Sequence, residues 1–170
     1  MTGFDFHTHT LRHDAIVNRY PGEPLPEGYT FSVGIHPWHA AEAGEEQWRQ
    51  LEEALGNPAV VAVGECGLDK LRGPSLDIQT EVFVRQVALS EKHRLPMTIH
   101  CVRAWNEIIA LHRRLSPTQR WTIHGFRGKP GLARQLLDEG FDISLGPLFN
   151  PATAAAIPPS RLHRESDEQP

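Results

Sequence analysis

Short apolar runs alternate with amphipathic ones along most of this chain. "FDFHTH" (4–9), the very short "AIVN" (15–18) and "YTFSVGIHP" (29–37) read as strands. A Pro- and Gly-rich stretch, "PGEPLPEG" (21–28), reads as a loop. From there the beat is regular. "EEQWRQLEEALG" (45–56) has helical spacing and ends on Gly. "AVVAVGECG" (59–67) is a β-branched run of the kind buried on both faces of a sheet. "QTEVFVRQVALSEKHR" (79–94) predicts a helix, and "PMTIHC", "AWNEIIALHRRL", "RWTIHGF", "GLARQLLDEG" and "FDISLG" continue the strand–helix alternation to residue 146. A short helix is expected in "PATAAAI" (151–157) and a last strand in "RLHRESD" (161–167). About eight strands, with helices mostly from the third onward, predict an α/β fold on a parallel sheet, open or closed into a barrel.

Bulk properties narrow the class. A chain of 170 residues suits one domain, spanning 1–170. A net charge of -4 argues against gripping long duplexes through a broad basic face, which needs clustered Lys and Arg. It leaves room for a small phosphate-bearing substrate. No apolar run approaches the roughly 18 to 20 residues of a membrane span, and "MTGFDFHTHT" lacks the features of a secretion signal. With two cysteines, a reduced, cytoplasmic protein with no membrane partner is expected.

The ten histidines matter through their positions. His7 and His9 are two apart on a strand, so both project to one face, which suits one metal ion. Two partly exposed surface histidines are the competing reading. His36 ends "SVGIH", His100 ends "MTIH", His124 ends "WTIH", Glu65 ends "VAVGE" and Asp167 ends "RLHRESD". In a parallel β/α barrel these strand ends meet at the face that carries chemistry. The candidate metal ligands are therefore His7, His9, Glu65, His100, His124 and Asp167. Mixed imidazole and carboxylate donors suit zinc, manganese or a related divalent ion better than calcium. Glu65, midway along the chain, is placed to bridge two ions; a set of satisfied core histidines is the alternative. Asp5 reads as a support for the strand or for a ligand histidine. His93 and His112 fall within helices. His163 shares parity with Glu165 and Asp167. Cys66 and Cys101 each follow a candidate ligand, so strand alternation turns them toward the helices and away from catalysis. Trp38 and Trp105 follow polar strand ends, and stacking on a base or packing as a lid are equally good accounts of them.

Taken together, "FDFHTHT", "VGIHPWH", "AVGECGLD", "MTIHC", "TIHGF" and "RLHRESD" resemble, in order, the motifs of the TatD family of metal-dependent hydrolases. The resemblance implies a TIM-type (β/α) barrel and two divalent ions (Zn, Mn, Mg or similar). His7, His9 and Asp167 would hold one, His100 and His124 the other, with Glu65 between them. It implies Glu65 and Asp167 as the catalytic carboxylates, with Asp167 accepting a proton from the attacking water. His36 would contact a substrate phosphate, and His39 and Arg103 stand near the family's other substrate contacts, each displaced. The expected activity is that of a phosphodiesterase or deoxyribonuclease on small or single-stranded nucleic acid, working from the ends. A metal-dependent amidohydrolase or deacylase, a phosphoesterase of the polymerase-and-histidinol-phosphatase type and a catalytically degraded barrel are the alternatives. The departures are a shortened first crossover, "CVRAW" after His100, Ser166 in place of Thr, and a final strand whose outer residues are polar apart from Leu162. With Asp167 three residues from Pro170, no closing C-terminal helix is expected. A homo-oligomer or a partner covering the last strand is the expected compensation.

Overall fold

In a computed structural model that describes residues 3–170, eight strands run in sequence order, each parallel to the next. They are β1 (Asp5–Thr8), β2 (Ala15–Arg19), β3 (Thr30–Val33), β4 (Val60–Asp69), β5 (Met97–Val102), β6 (Trp121–Ile123), β7 (Asp142–Leu145) and β8 (Leu162–Arg164). Helices α1 (Glu45–Leu55), α2 (Leu76–His93), α3 (Trp105–Leu115), α4 (Pro130–Asp138) and α5 (Pro151–Ala156) follow β3 to β7 respectively. This is a TIM-type (β/α) barrel with its first two crossovers stripped to loops. Residues 9–14 alone join β1 to β2. Extended, they reach roughly 20 Å, more than the four-residue β1 requires for the chain to return beside itself.

The barrel is drawn shut just beyond β8. The Asp167 amide donates to the His7 carbonyl at 3.0 Å, and the His9 amide donates to the Glu168 carbonyl at 2.8 Å. Asp5 secures the seam: its Oδ1 accepts from the backbone amides of His7 (3.1 Å) and Ser166 (3.0 Å), and its Oδ2 from the Ser166 hydroxyl (2.5 Å). Asp5 thus supports the strand, as its position predicts. The last strand is shorter than expected: beyond Arg164 the Ser166 amide bonds the Asp5 side chain in place of a neighbouring strand, and Asp167 then turns to φ +52. No helix follows β8 among the described residues. Arg164 is exposed and lies over the Phe149 ring at 4.7 Å.

The apolar core lies between the sheet and α1 to α4. Phe31, Leu51, Phe83, Ile99, Ile108, Trp121 and Phe141 are all fully buried, and Trp121 packs edge-on against Phe83 at 5.2 Å. Two glutamines of α2 reach through this layer to hold strand ends. Gln86 exchanges two hydrogen bonds with the Ile35 backbone (2.8 and 3.0 Å), and Gln79 does the same with Asp69 (2.8 and 2.9 Å). Each would be costly to bury unpaired. Paired, they fix the backbone beside His36 and at the end of β4. α2 ends at Arg94, which takes the left-handed conformation at φ 55 without a glycine.

Gly67 on β4 lies directly beside His100 on β5. Its φ is +147, and a Cβ there would overlap the His100 carbonyl oxygen. Gly67→Ala is therefore expected to destabilise the fold by about 3 kcal/mol, combining backbone strain with overpacking. Chemical denaturation checks this. A loss under about 1 kcal/mol would mean that the two strands separate freely.

Candidate metal centre

Four strand ends deliver five imidazoles onto one carboxylate. Glu65, on β4, is buried, and its two oxygens face different partners. Oε1 lies 2.8 Å from His124 Nε2, 2.9 Å from His100 Nδ1 and 3.1 Å from His36 Nε2. Oε2 lies 3.4 Å from His7 Nε2 and 3.7 Å from His9 Nε2. Asp167 Oδ1 approaches the same two imidazoles from across the seam, at 3.6 and 3.5 Å. The left-handed turn at Asp167 and the hydrogen bond its amide donates to the His7 carbonyl set that approach. All six expected ligands, and His36 with them, therefore meet at one mouth.

The electrostatics are those of a compact charge cluster. Burial alone would push the Glu65 carboxyl up. The His124 charge and the hydrogen bonds from His100, His124 and His36 outweigh it and hold Glu65 well below the ordinary carboxylate range. His124 shows the converse: burial favours its neutral form, but Glu65 and Glu165 hold its pKa well above the ordinary histidine value. Burial also pushes Asp167 up, and His9, His124 and His7 bring it below its usual value. For His36 burial wins over the Glu65 contact, and its pKa falls.

The donor set fits a divalent cation. His7 has no exposed surface, and neither of its ring nitrogens has a hydrogen-bond partner among the described residues. Two orphaned nitrogens in a dry site are costly unless something binds them. Donor atoms of His7, His9 and Glu65 lie within 4.8 Å of one another, as do those of His7, His124 and Asp167 and those of His36, Glu65 and His100. Imidazole nitrogen mixed with carboxylate oxygen favours zinc, manganese or a similar ion.

The cluster floors an open cleft of about 980 Å³. Trp38, His39, Trp105, Arg103 and Arg127 line it. His39 is half exposed, with Nδ1 3.4 Å from Glu42, and Arg103 and Arg127 are exposed. The Trp105 ring meets Phe126 edge-on at 5.6 Å. Cys66 is fully buried, and burial pushes its thiol up. Cys101 borders the cleft but packs against the apolar core, and burial pushes its thiol up to about 12, so it carries no thiolate. His163 lies outside the cluster, 3.2 Å from Asp142 and stacked on Phe6 at 4.4 Å.

Two carboxylates that the sequence reading left without a role stand behind the histidines. Glu165, its side chain fully buried, faces His124 Nδ1 at 3.2 Å and accepts from the Ser144 hydroxyl at 2.5 Å. Asp69 faces His100 Nε2 at 2.9 Å. Both had a signal in strand parity, Glu165 two residues before Asp167 and Asp69 four after Glu65. Carboxylate–histidine pairs of this kind orient ligand imidazoles.

Known proteins resemble this chain in sequence and fold. The family model described as TatD related DNase matches residues 4–169. A 3'-5' ssDNA/RNA exonuclease TatD from Erwinia amylovora is 34% identical over 116 residues, 67% of this chain and 45% of that protein. An uncharacterized metal-dependent hydrolase, YabD, from Bacillus subtilis is 34% identical over 71% of this chain and 49% of its own length. The chain thus spans about half the length of the curated relatives it matches. Among solved structures, the TatD homolog YJJV from Escherichia coli K12 superposes with a TM-score of 0.80 at 25% identity, covering 90% of this chain and 66% of that one. A match running through every strand that carries the cluster places the chain in the TatD related DNase family.

Proposed function

We propose that this chain is a divalent-metal-dependent phosphodiesterase that removes nucleotides from the ends of single-stranded nucleic acid. The observation that carries the reading is Glu65, with one oxygen turned to His36, His100 and His124 and the other to His7 and His9. A carboxylate so placed suits two cation positions, one with His7, His9 and Asp167 and one with His100 and His124. His36 is close enough to Glu65 to join the second or to touch substrate. Bound there, divalent ions supply positive charge against the phosphate and acidify a nucleophilic water. Asp167, only partly buried and held ionised, is the group that takes the proton. Arg103 and Arg127 stand exposed at the cleft wall to receive flanking phosphates, and Trp38 and Trp105 offer faces to bases. The activity for which the Erwinia relative is named, on single-stranded DNA and RNA, supports this choice of substrate.

End-labelled single-stranded DNA incubated with chelated protein and with protein resupplied with Mn(II) or Mg(II) tests the proposal. Stepwise shortening only with added metal is the expected result, with a matched duplex and a simple carboxylic ester cut far more slowly. Ester cleavage without phosphodiester cleavage would transfer the site to a deacylase. Arg103→Ala combined with Arg127→Ala is expected to raise KM by about 100-fold or more while leaving kcat nearly unchanged, since each charged contact is worth roughly 1.5–3 kcal/mol. A fall in kcat at constant KM would place the arginines at the reacting phosphate.

A further inference from the structure

β2 ends on Asn18 and Arg19, and both border the cleft. In an eight-strand barrel β6 stands four strands from β2, so Arg127, in the loop after β6, lies across the mouth from Asn18. The two sides differ in charge. Arg103 and Arg127 are exposed on theirs. On the β2 side the Arg19 guanidinium is already engaged: Nη1 donates to the carbonyls of His9 (3.1 Å) and Asn18 (2.9 Å), and Nε lies 3.9 Å from Glu23. Glu23 is exposed on the same wall, so its charge offsets that of Arg19.

The Asn18 amide is held one way round. Its Nδ2 donates to the Gly64 carbonyl at 2.7 Å and to the Ser32 hydroxyl at 3.0 Å. A carbonyl oxygen only accepts, so the NH2 group has to face Gly64 and the amide cannot be flipped. Both N–H bonds are thus used inside the barrel, one residue before Glu65. Oδ1 makes no hydrogen bond among the described residues, and it is not one of the buried atoms left without a partner. Asn18 is half-buried at the cleft, so Oδ1 is a fixed acceptor open to what enters there.

A fixed oxygen acceptor on a wall without net positive charge suits an O–H donor and not a phosphate. A nucleic acid strand is anionic along its body, but its last sugar ends in a neutral hydroxyl. We infer that Asn18 is a specificity-determining residue: Oδ1 accepts the terminal sugar hydroxyl while Arg103 and Arg127 hold the anionic body across the mouth. Glu23 on the same wall disfavours a strand that ends in phosphate. This rests on the substrate class given under Proposed function and adds the end group that the site selects.

Calorimetric titration of the Mn(II)-supplied protein with three nucleotides that share one base tests this: thymidine 5'-monophosphate, its 3'-deoxy analogue and thymidine 3',5'-bisphosphate. The parent is expected to bind the monophosphate about 3- to 10-fold more tightly than the 3'-deoxy analogue, the worth of one hydrogen bond. Asn18→Ala is expected to bind those two equally. A purely structural part for Asn18, acting through Gly64 on Glu65, would weaken both and keep their ratio, and that result would overturn the inference. Equal binding of the two by the parent, or binding of neither, would overturn it without any variant. Glu23→Gln is expected to tighten bisphosphate binding by about 2- to 5-fold while the hydroxyl preference stays as in the parent. A parent that favours the bisphosphate over the monophosphate would make this wall a phosphate site and also overturn the inference. The hydroxyl preference in a protein that shortens no strand would sink the nuclease reading and leave the role of Asn18 standing.

Discussion

Glutamine in place of Glu65 is expected to abolish tight divalent-metal binding and to lower hydrolysis by more than the ~10–100-fold that loss of a supporting partner costs. Size barely changes, so the effect is electrostatic. An amide offers one oxygen where the carboxylate offers two. Whichever way it turns, either the His36–His100–His124 side or the His7–His9 side faces an N–H2 donor. The negative charge that holds His124 protonated in the metal-free protein also disappears. Calorimetric titration with Zn(II), paired with circular dichroism to confirm the fold, separates lost binding from lost structure. A folded Glu65→Gln protein with parental affinity would mean that the histidines and Asp167 bind the ion without the central carboxylate.

The second large effect is on pH dependence, and its two limbs have opposite origins. Glu65 titrates in the folded protein well below its ordinary value of 4.5. Its contribution to stability is therefore present above about pH 4.5 and is lost as pH falls through the depressed pKa. His124 titrates well above its ordinary value of 6.5. Its contribution is fully present below about pH 6.5 and fades as pH rises through the elevated pKa. Thermal melts of the metal-free protein should give highest stability between these limits. Metal binding runs the other way on the alkaline side, because an imidazole must lose its proton to ligate. Zn(II) affinity is expected to keep climbing with pH above 6.5. An affinity that levels off by pH 6.5 would show His124 already neutral there.

How far this could be read in advance depended on what each residue's role requires. The strands that carry chemistry are apolar runs ending in a polar residue, and that pattern is local. Hence β4, β5 and β6 and their Glu65, His100 and His124 were legible directly. The expected helix over 79–94 began earlier, at Leu76, because Ser75 accepts from the Ile78 amide and starts the helix at a residue with no apolar periodicity. The pattern over 161–167 predicts a seven-residue strand, but only Leu162–Arg164 is strand. Beyond it the Ser166 amide goes to the Asp5 side chain and Asp167 adopts a left-handed backbone that Asp tolerates, neither of which periodicity reveals. Roles that require two distant residues to touch were the hardest to see. Gln79 reads as an ordinary polar helix residue until its bonds to Asp69 are visible, and Asp69 reads as the end of a motif until Trp38 and His100 meet on it. Arg127 lies in a loop with no pattern of its own, and only the cleft shows what it borders.

The seam beyond β8 gives the centre a kinetic property. Every other strand pairs with its neighbour in sequence, but the bonds from Asp167 to His7 and from His9 to Glu168 span nearly the whole chain. Contacts across so long a loop carry the largest closure entropy and form late. The same bonds are the natural place for the barrel to breathe open locally while the core stays folded. Each opening would carry Asp167 away from His7 and His9, so a bound cation that needs all three acts as a latch. The His9 and Asp167 amides should then exchange with deuterium quickly in the metal-free protein and slowly in the loaded one. Amides in the centre of β4 should hardly respond.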